Sequence, residues 1–340
     1  MKLSVLDQSP VLTGMSPHDA LQQTTALAKW ADQLGFHRFW VAEHHSTNSL
    51  AGSSPEILTT HLAAHTERIR IGTGGVLLPH YSSYKVAESF RVLETLYPNR
   101  IDLGVGRAPG GMPNVNLALN RGEIPSIEGY PAQVEELIAY LHGKDPQDMG
   151  IFASPQGDTA PPVWMLGSSG TSARVAADIG VSYSFAHFIN GYGGARAMDR
   201  YTNNFQPSLQ QQTPQGNVSI FVVCAESDEQ AEYLAASLDL ALLKIEQGGI
   251  RHHFPTPEEA FSYPYTMFEE QRIRENRSRM VVGSIEKVKS EVESLANYYQ
   301  VDEVIINTIV SPFEERMKSY ELIADAFQLR ESVASESFHF

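Results

Sequence analysis

The chain is predicted to be an α/β protein: a single (β/α)8 TIM barrel with loop insertions after its fourth and seventh strands. Two patterns carry this expectation. Eight short apolar or β-branched runs alternate with helix-period segments over about 330 residues, which favours a closed barrel over an open doubly wound sheet. The turn after the first run reads DQSPVLTGMS and lacks the G-x-G-x-x-G that open dinucleotide-binding sheets more often carry there. No repeat or change of composition divides the chain. Residues 1–330 are therefore read as one barrel domain and 331–340 as a C-terminal tail.

The elements follow in order. Lys2–Leu6 is a short apolar strand, and Ser16-Pro17 opens a helix that Gly35 stops after Leu34. Arg38–Ala42 is rich in aromatic and β-branched residues, and Ser54-Pro55 opens a second helix reaching about Thr66. Ile69–Thr73 is strand-like. Val86, Phe90, Leu93 and Tyr97 then lie on one face of a helix. The remaining strands are Ile101–Val105, Val163–Leu166, Val181–Ala186, Val218–Cys224 and Val304–Ile306. Helical stretches separate them at Pro131–Leu141, Thr171–Ile179, Ala195–Phe205, Asp228–Glu246 and around Val288–Tyr299, and a last helix carries Phe313, Met317, Tyr320 and Phe327. Three insertions break the rhythm: Arg107–Ile127, Gly143–Pro162 and Gln247–Val282. Loops after strands gather at one end of a barrel, and the first and third insertions are expected at or near that end as lid candidates.

Composition narrows the function. With 25 basic and 40 acidic side chains the formal charge is −15, which disfavours nucleic acid and anionic membranes as partners. No apolar run approaches the roughly 18 residues of a transmembrane helix. MKLSVLDQSP reads as a strand without a signal segment, and the single Cys224 can form no internal disulfide. These features point to the cytoplasm and to a soluble enzyme or binding protein.

The chemistry-bearing residues sit at strand ends. Ala42-Glu43-His44-His45 places three titratable side chains in succession, suited to acid–base work; strand alternation would turn His44 and His45 to opposite faces. His61 and His65 are four apart but have no H-E-x-x-H between them, so no metal site is expected. Gly74-Gly75 in Gly72–Pro79 suggests a flat group lying against backbone, or a plain turn. Gly104–Gly111 crowds four glycines around Arg107, whose planar fork suits phosphate or a surface carboxylate. Leu166–Ser172 is a hydroxyl-rich loop feeding a helix N-terminus, an anion site or an ordinary serine cap. Paired with Arg107 it would form a two-sided phosphate clamp. No acid pair at strand ends supports a glycosidase.

A-E-H-H, G-T-G-G-V-L-L-P, G-V-G-R-A-P-G-G and L-G-S-S-G, with V-V-G-S-I-E-K-V at Val281–Val288, resemble the bacterial luciferase-like flavin-dependent monooxygenase family over Met1 to about Leu329. The resemblance implies a (β/α)8 barrel that binds reduced FMN or, in some branches, a deazaflavin coenzyme. It implies His44 as the catalytic histidine by the flavin ring, with a pKa suited to neutral pH. Arg107, Ser168, Ser169 and Gly170 would hold the phosphate. Gly74 and Gly75 match the place where family members often carry a cis peptide under the ring. The implied activity is a two-component monooxygenase: a separate NAD(P)H:flavin reductase supplies reduced FMN, and O2 oxidises a small organic substrate. Deazaflavin-dependent hydride transfer, or flavin binding with little turnover, are the alternatives. In luciferase itself a cysteine precedes the matching arginine; Gly106 stands here, which leaves light emission outside what the resemblance implies. Phe254, Phe261, Tyr263, Tyr265 and Phe268 would close over the ring or pack a lid on the barrel. A homodimer is expected through the helices after the second and third strands, which carry Ile57, Leu58, Leu62, Val86, Phe90 and Leu93.

Overall fold

The computed structural model describes residues 1–107, 113–123, 128–248 and 253–330; the expected tail at 331–340 lies outside them. Its first half contains β1 (Lys2–Asp7), α1 (Pro17–Leu34), β2 (Arg38–Val41), α2 (Pro55–Ala64), β3 (Arg70–Leu77), α3 (Ser83–Leu96), β4 (Ile101–Gly106), α4 (Pro113–Leu119) and α5 (Tyr130–Leu141). Then come β5 (Val163–Gly167), α6 (Gly170–Ile179), β6 (Ser182–Ala186), α7 (Gly194–Asn204), β7 (Gly216–Ala225) and α8 (Asp228–Glu246). The chain continues through α9 (Pro257–Ser262), α10 (Met267–Asn276), β8 (Met280–Ser284), α11 (Ile285–Tyr299), β9 (Glu303–Asn307) and α12 (Phe313–Ala326).

The strands are all parallel. β1 to β6 pair in sequence, β9 joins β1 to β7, and the β6–β7 pairing closes the ring. Eight strands thus form the expected barrel. Residues pointing outward, such as Val5, Phe39, Ile71, Leu103 and Val304, pack under the helices in one continuous core. Side-chain caps start several of the helices. In α1, Ser16 and Asp19 cap each other reciprocally, and Gly35 at φ 89° ends the helix in the left-handed conformation that glycine adopts without a Cβ penalty.

The N-terminal end of the barrel interior is plugged by charge. Arg38 bonds Asp102 at 2.7 Å and Glu303 at 2.6 Å, while Arg70 reaches Asp102 at 2.6 Å. Burial opposes the Asp102 charge, but the two guanidiniums outweigh it and hold that carboxyl below its ordinary pKa. Trp40 donates to the same carboxylate at 3.1 Å and meets Trp164 edge-on, with the Arg38 guanidinium 4.7 Å from the Trp164 ring. This layer seals the bottom, so the open end lies at the strand C-termini.

Two features depart from the sequence reading. A ninth strand, β8, pairs along Phe221–Ala225, the outer half of a ten-residue β7. Its five residues include Gly283 and run straight into α11, so the helical periodicity obscured it. The third insertion is also not a structureless loop: α9 and α10 occupy much of it, each opened by a Thr–Glu capping box. By contrast, Gly143–Pro162 carries neither helix nor strand in its interior. The buried Arg91 pins it by donating to the carbonyls of Leu141, Pro155 and Gly157. In the first insertion, residues 108–112 and 124–127 lie outside the described set. Among the described residues no helix is long and apolar enough to cross a membrane.

Candidate active site

A cavity of about 520 Å³ opens at the C-terminal ends of the strands. His44, Gly74, Gly75, Arg107, Ser168 and Ser169 all line it, although they come from four separate βα units. Gly170 is not part of the lining; it is the first residue of α6. The volume falls within the range of about 300–1,000 Å³ that small-molecule sites occupy. Small side chains at Ala42, Gly106, Ser184 and Ala186 keep the chamber wide, and Leu6, Trp40, Leu166 and Phe188 make its walls apolar.

The β3 glycines serve the backbone as well as the chamber. The Gly74–Gly75 peptide is cis, and the β3–β4 register shifts between Thr73 and Val76. A Cβ on Gly75 would lie 2.6 Å from the Gly104 carbonyl oxygen, and one on Gly104 only 2.0 Å from that of Thr73. The close approach of β3 to β4 thus requires glycine at both positions. Gly106 differs, since among the described residues a Cβ there would meet only Leu77 Cδ2, at 3.5 Å.

The two histidines are sorted by Glu43. Its buried carboxylate pairs with His45 Nε2 at 2.7 Å and accepts from the Tyr81 hydroxyl at 2.6 Å and the Leu77 amide at 2.8 Å. His45 does not line the cavity. His44 does, and its buried Nδ1 has no hydrogen-bond partner among the described residues. Strand alternation is not the cause, because β2 ends at Val41. The His44 amide instead bonds the Gly52 carbonyl at 2.8 Å, and Ser46 turns the chain at φ 51°. Burial, helped by His45, lowers the His44 pKa to about 4. This corrects the expectation of a group titrating near neutrality. His44 is an uncharged hydrogen-bonding imidazole at pH 7, and a weaker base than free histidine.

The opposite side of the cavity suits an anion. Arg107 is exposed and makes no ion pair among the described residues. Ser169 caps α6, its hydroxyl facing the Ser172 amide at 3.4 Å, while Asn190 holds the Ser168 carbonyl at 3.0 Å. The first amides of an α-helix have no intrahelical partner, and the dipole favours negative charge there. Sequence reasoning missed two neighbours. Arg200 of α7 brings Nη1 to 3.2 Å from the Cβ position of Gly170. Tyr130, first in α5, lines the cavity with a buried hydroxyl that has no partner among the described residues. Nothing local marks Arg200, but the Gly129-Tyr130-Pro131 helix start was a readable signal for Tyr130.

Other candidate residues lie elsewhere. His61 and His65 stack with ring centroids 4.2 Å apart, and His61 contacts Thr25 at 3.1 Å. No group of three or more possible metal ligands is found among the described residues. The aromatics of the third insertion do not line the cavity. Phe254 is buried in a separate core with Leu12 and Phe221, Phe261 stacks on Tyr233, and Phe268 is 89% exposed. Of the side chains expected at a dimer face, Leu62, Val86, Phe90 and Leu93 are buried against the barrel; Ile57 is exposed.

The family model for luciferase-like monooxygenases matches residues 1–297. The chain is 51% identical to the uncharacterized protein YwcH of Bacillus subtilis, covering 96% of this chain and 99% of YwcH. It is 36% identical to the N-acetyl-S-alkylcysteine monooxygenase of the same organism, over 96% of this chain and 98% of that protein. The crystal structure of apo-MsnO8 superposes with a TM-score of 0.90 at 38% identity, covering 96% and 98% of the two chains. At 19% and 14% identity, the fold is shared by the FMN-bound oxygenating constituent of 3,6-diketocamphane monooxygenase, from a Pseudomonas putida plasmid, and by an F420-dependent secondary alcohol dehydrogenase (TM-scores 0.72 and 0.69). Matched through most of its length and carrying the family's barrel, the chain belongs to the luciferase-like monooxygenases.

Proposed function

We propose that the protein is a two-component, cytoplasmic monooxygenase that uses reduced FMN and O2 to oxidise a small organic substrate. The observation carrying this reading is the convergence of His44, the Gly74-Gly75 peptide and the Arg107–Ser169 face on one apolar-walled cavity. The donor set fits the cofactor. The Arg107 guanidinium, the Ser168 and Ser169 hydroxyls and the Gly170 amide would hold the phosphate. The Gly74–Gly75 segment would support the ring, and His44 Nδ1 has no partner among the described residues to give up on binding. Reduced FMN supplies the activation of dioxygen. The chain's residues bind and orient the cofactor, exclude water with Leu6, Trp40, Leu166 and Phe188, and offer a neutral imidazole at the reacting face. One oxygen atom enters the substrate, the other leaves as water, and the flavin provides two electrons.

The N-acetyl-S-alkylcysteine monooxygenase relative makes an S-alkyl thioether the first substrate class to try. We also propose that a separate reductase delivers the flavin and that the protein pairs as a homodimer through α2 and α3, where Ile57, Val92 and Leu96 are exposed. The test supplies the pure protein with FMN, an NADH:flavin reductase and a thioether, in air and under argon. The expected result is a mass gain of one oxygen only in air, with negligible NADH consumption when the reductase is left out. Turnover under argon with reduced deazaflavin, and none with FMN, would establish the hydride-transfer alternative instead.

A further inference from the structure

We propose that Ser184 and Ser219 form a subsite for an uncharged carbonyl or amide group of the substrate; this rests on the flavin reading above. Both residues line the cavity, and they are 3% and 4% exposed. Their chain neighbours Tyr183, Phe185, Val218 and Ile220 pack in the core beneath the helices. Strand alternation therefore turns the two serines into the barrel, and each hydroxyl stands one carbon away from its backbone. β6 and β7 are adjacent, with Ala186 opposite Ser219 and Ser184 opposite Asn217. The two hydroxyls face each other at 3.4 Å, and neither has another partner among the described residues.

Two hydroxyls that share one long hydrogen bond leave a donor and several lone pairs unused. Polar groups shut away from water cost free energy unless something pairs with them. Alanine at both places would keep the chamber as wide, as Ala42 and Ala186 do, without that cost. Asn217 lies on the same inward face, opposite Ser184 and two residues before Ser219. It is fully buried, and neither its Oδ1 nor its Nδ2 has a partner among the described residues. The three side chains make an uncharged polar strip. Leu166, in register with Ser184, and Phe188, whose amide bonds the Ser219 carbonyl at 3.1 Å, flank it.

The charges of the chamber lie elsewhere. Arg107 is the one arginine or lysine among the described lining residues, and on the flavin reading the phosphate takes it. The charged residues left in the lining, Glu43 and Glu128, are acidic. A carboxylate seated against the serines would be buried without a cation, whereas a carbonyl or amide meets hydroxyl donors and acceptors there. The group of the substrate that reaches this wall is therefore neutral.

Isothermal titration with N-acetyl-S-methylcysteine amide and with N-acetyl-S-methylcysteine, which carries a free carboxylate, tests this without turnover. The FMN-saturated parent should bind the amide at least about tenfold more tightly than the acid. Replacing both serines, Ser184→Ala with Ser219→Ala, should lower amide affinity about three- to tenfold, the range of a neutral hydrogen bond, and leave acid and FMN affinity and the melting temperature unchanged. Should the double variant melt early, Ser219→Ala alone serves. Acid binding as tight as amide binding in the FMN-saturated parent would overturn the proposal. So would amide affinity that the serine replacements leave unchanged, or no binding of either probe. A parent that bound no FMN would count against the flavin reading instead, and the amide titration of the FMN-free protein and its variant would still decide the role of the serines.

Discussion

Glu43 holds His45 at 2.7 Å and thereby leaves His44 as the one member of the pair that faces the cavity. Because the same carboxylate also takes the Tyr81 hydroxyl and the Leu77 amide, it fastens the end of β2 to the end of β3. The two histidines should therefore respond differently to removal. His44→Ala should keep the fold and most FMN affinity, yet slow oxygen-dependent product formation by roughly 10²–10⁴-fold. His45→Ala should instead cost about 1–3 kcal/mol of stability by leaving Glu43 short of a partner. Steady-state rates beside urea melts of both variants check this; a larger rate loss in a stably folded His45→Ala would reverse the assignment.

Acid should weaken the ligand-free protein in a window set by histidine. His44 and His37 both have folded pKa values near 4, lowered chiefly by burial, against about 6.5 when unfolded. Between those values the unfolded chain binds more protons, so stability falls as pH drops from about 6.5 to 4. Asp102 does not confuse this window, since its contribution is lost only below the ordinary carboxylate range. Urea melts from pH 4.5 to 7.5 should show the slope, and His44→Gln should flatten it by up to about 2–3 kcal/mol across the window.

The phosphate face should separate FMN from riboflavin. Arg107→Ala is expected to weaken FMN by about 1.5–3 kcal/mol and riboflavin hardly at all. Arg200 is exposed, so Arg200→Ala should cost FMN only about 0.5–1 kcal/mol, and less in high salt. Fluorescence titrations at two ionic strengths measure both. Equal losses for the two flavins in Arg107→Ala would show that the arginine is structural.

Gly104 and Gly106 are two residues apart on β4 but should differ sharply. Gly104→Ala drives a methyl against the Thr73 carbonyl and should cost about 3 kcal/mol or more. Gly106→Ala has room beside Leu77 and should stay within about 1 kcal/mol of the parent. Thermal melts of the two variants report the difference.

The barrel was legible because each of its eight strands is a short apolar run set against helices of clear period. β8 was not, because its identity depends on the outer half of β7, a partner roughly 60 residues away. The capping boxes at Thr256–Glu259 and Thr266–Glu269 were readable signals for α9 and α10, although the length of the insertion and its expected place at the barrel end pointed to a lid. At the site, strand-end motifs brought out His44, Arg107 and the Ser168–Gly170 turn. The resemblance points to His44, but the alternation expected to turn His45 away stops at Val41; the Glu43–His45 pair separates the two instead. Tyr130 and Arg200 reach the site from α5 and α7; the helix start at Gly129-Tyr130-Pro131 marks the first in the sequence, whereas only packing reveals the second.

A crystal structure of the protein soaked with FMN tests the central claim most directly. The phosphate should lie between Arg107 and the start of α6, with the ring against Gly74-Gly75 and within hydrogen-bond reach of His44 Nδ1. Density for FMN outside this cavity, or none at a concentration that saturates binding in solution, would contradict the account.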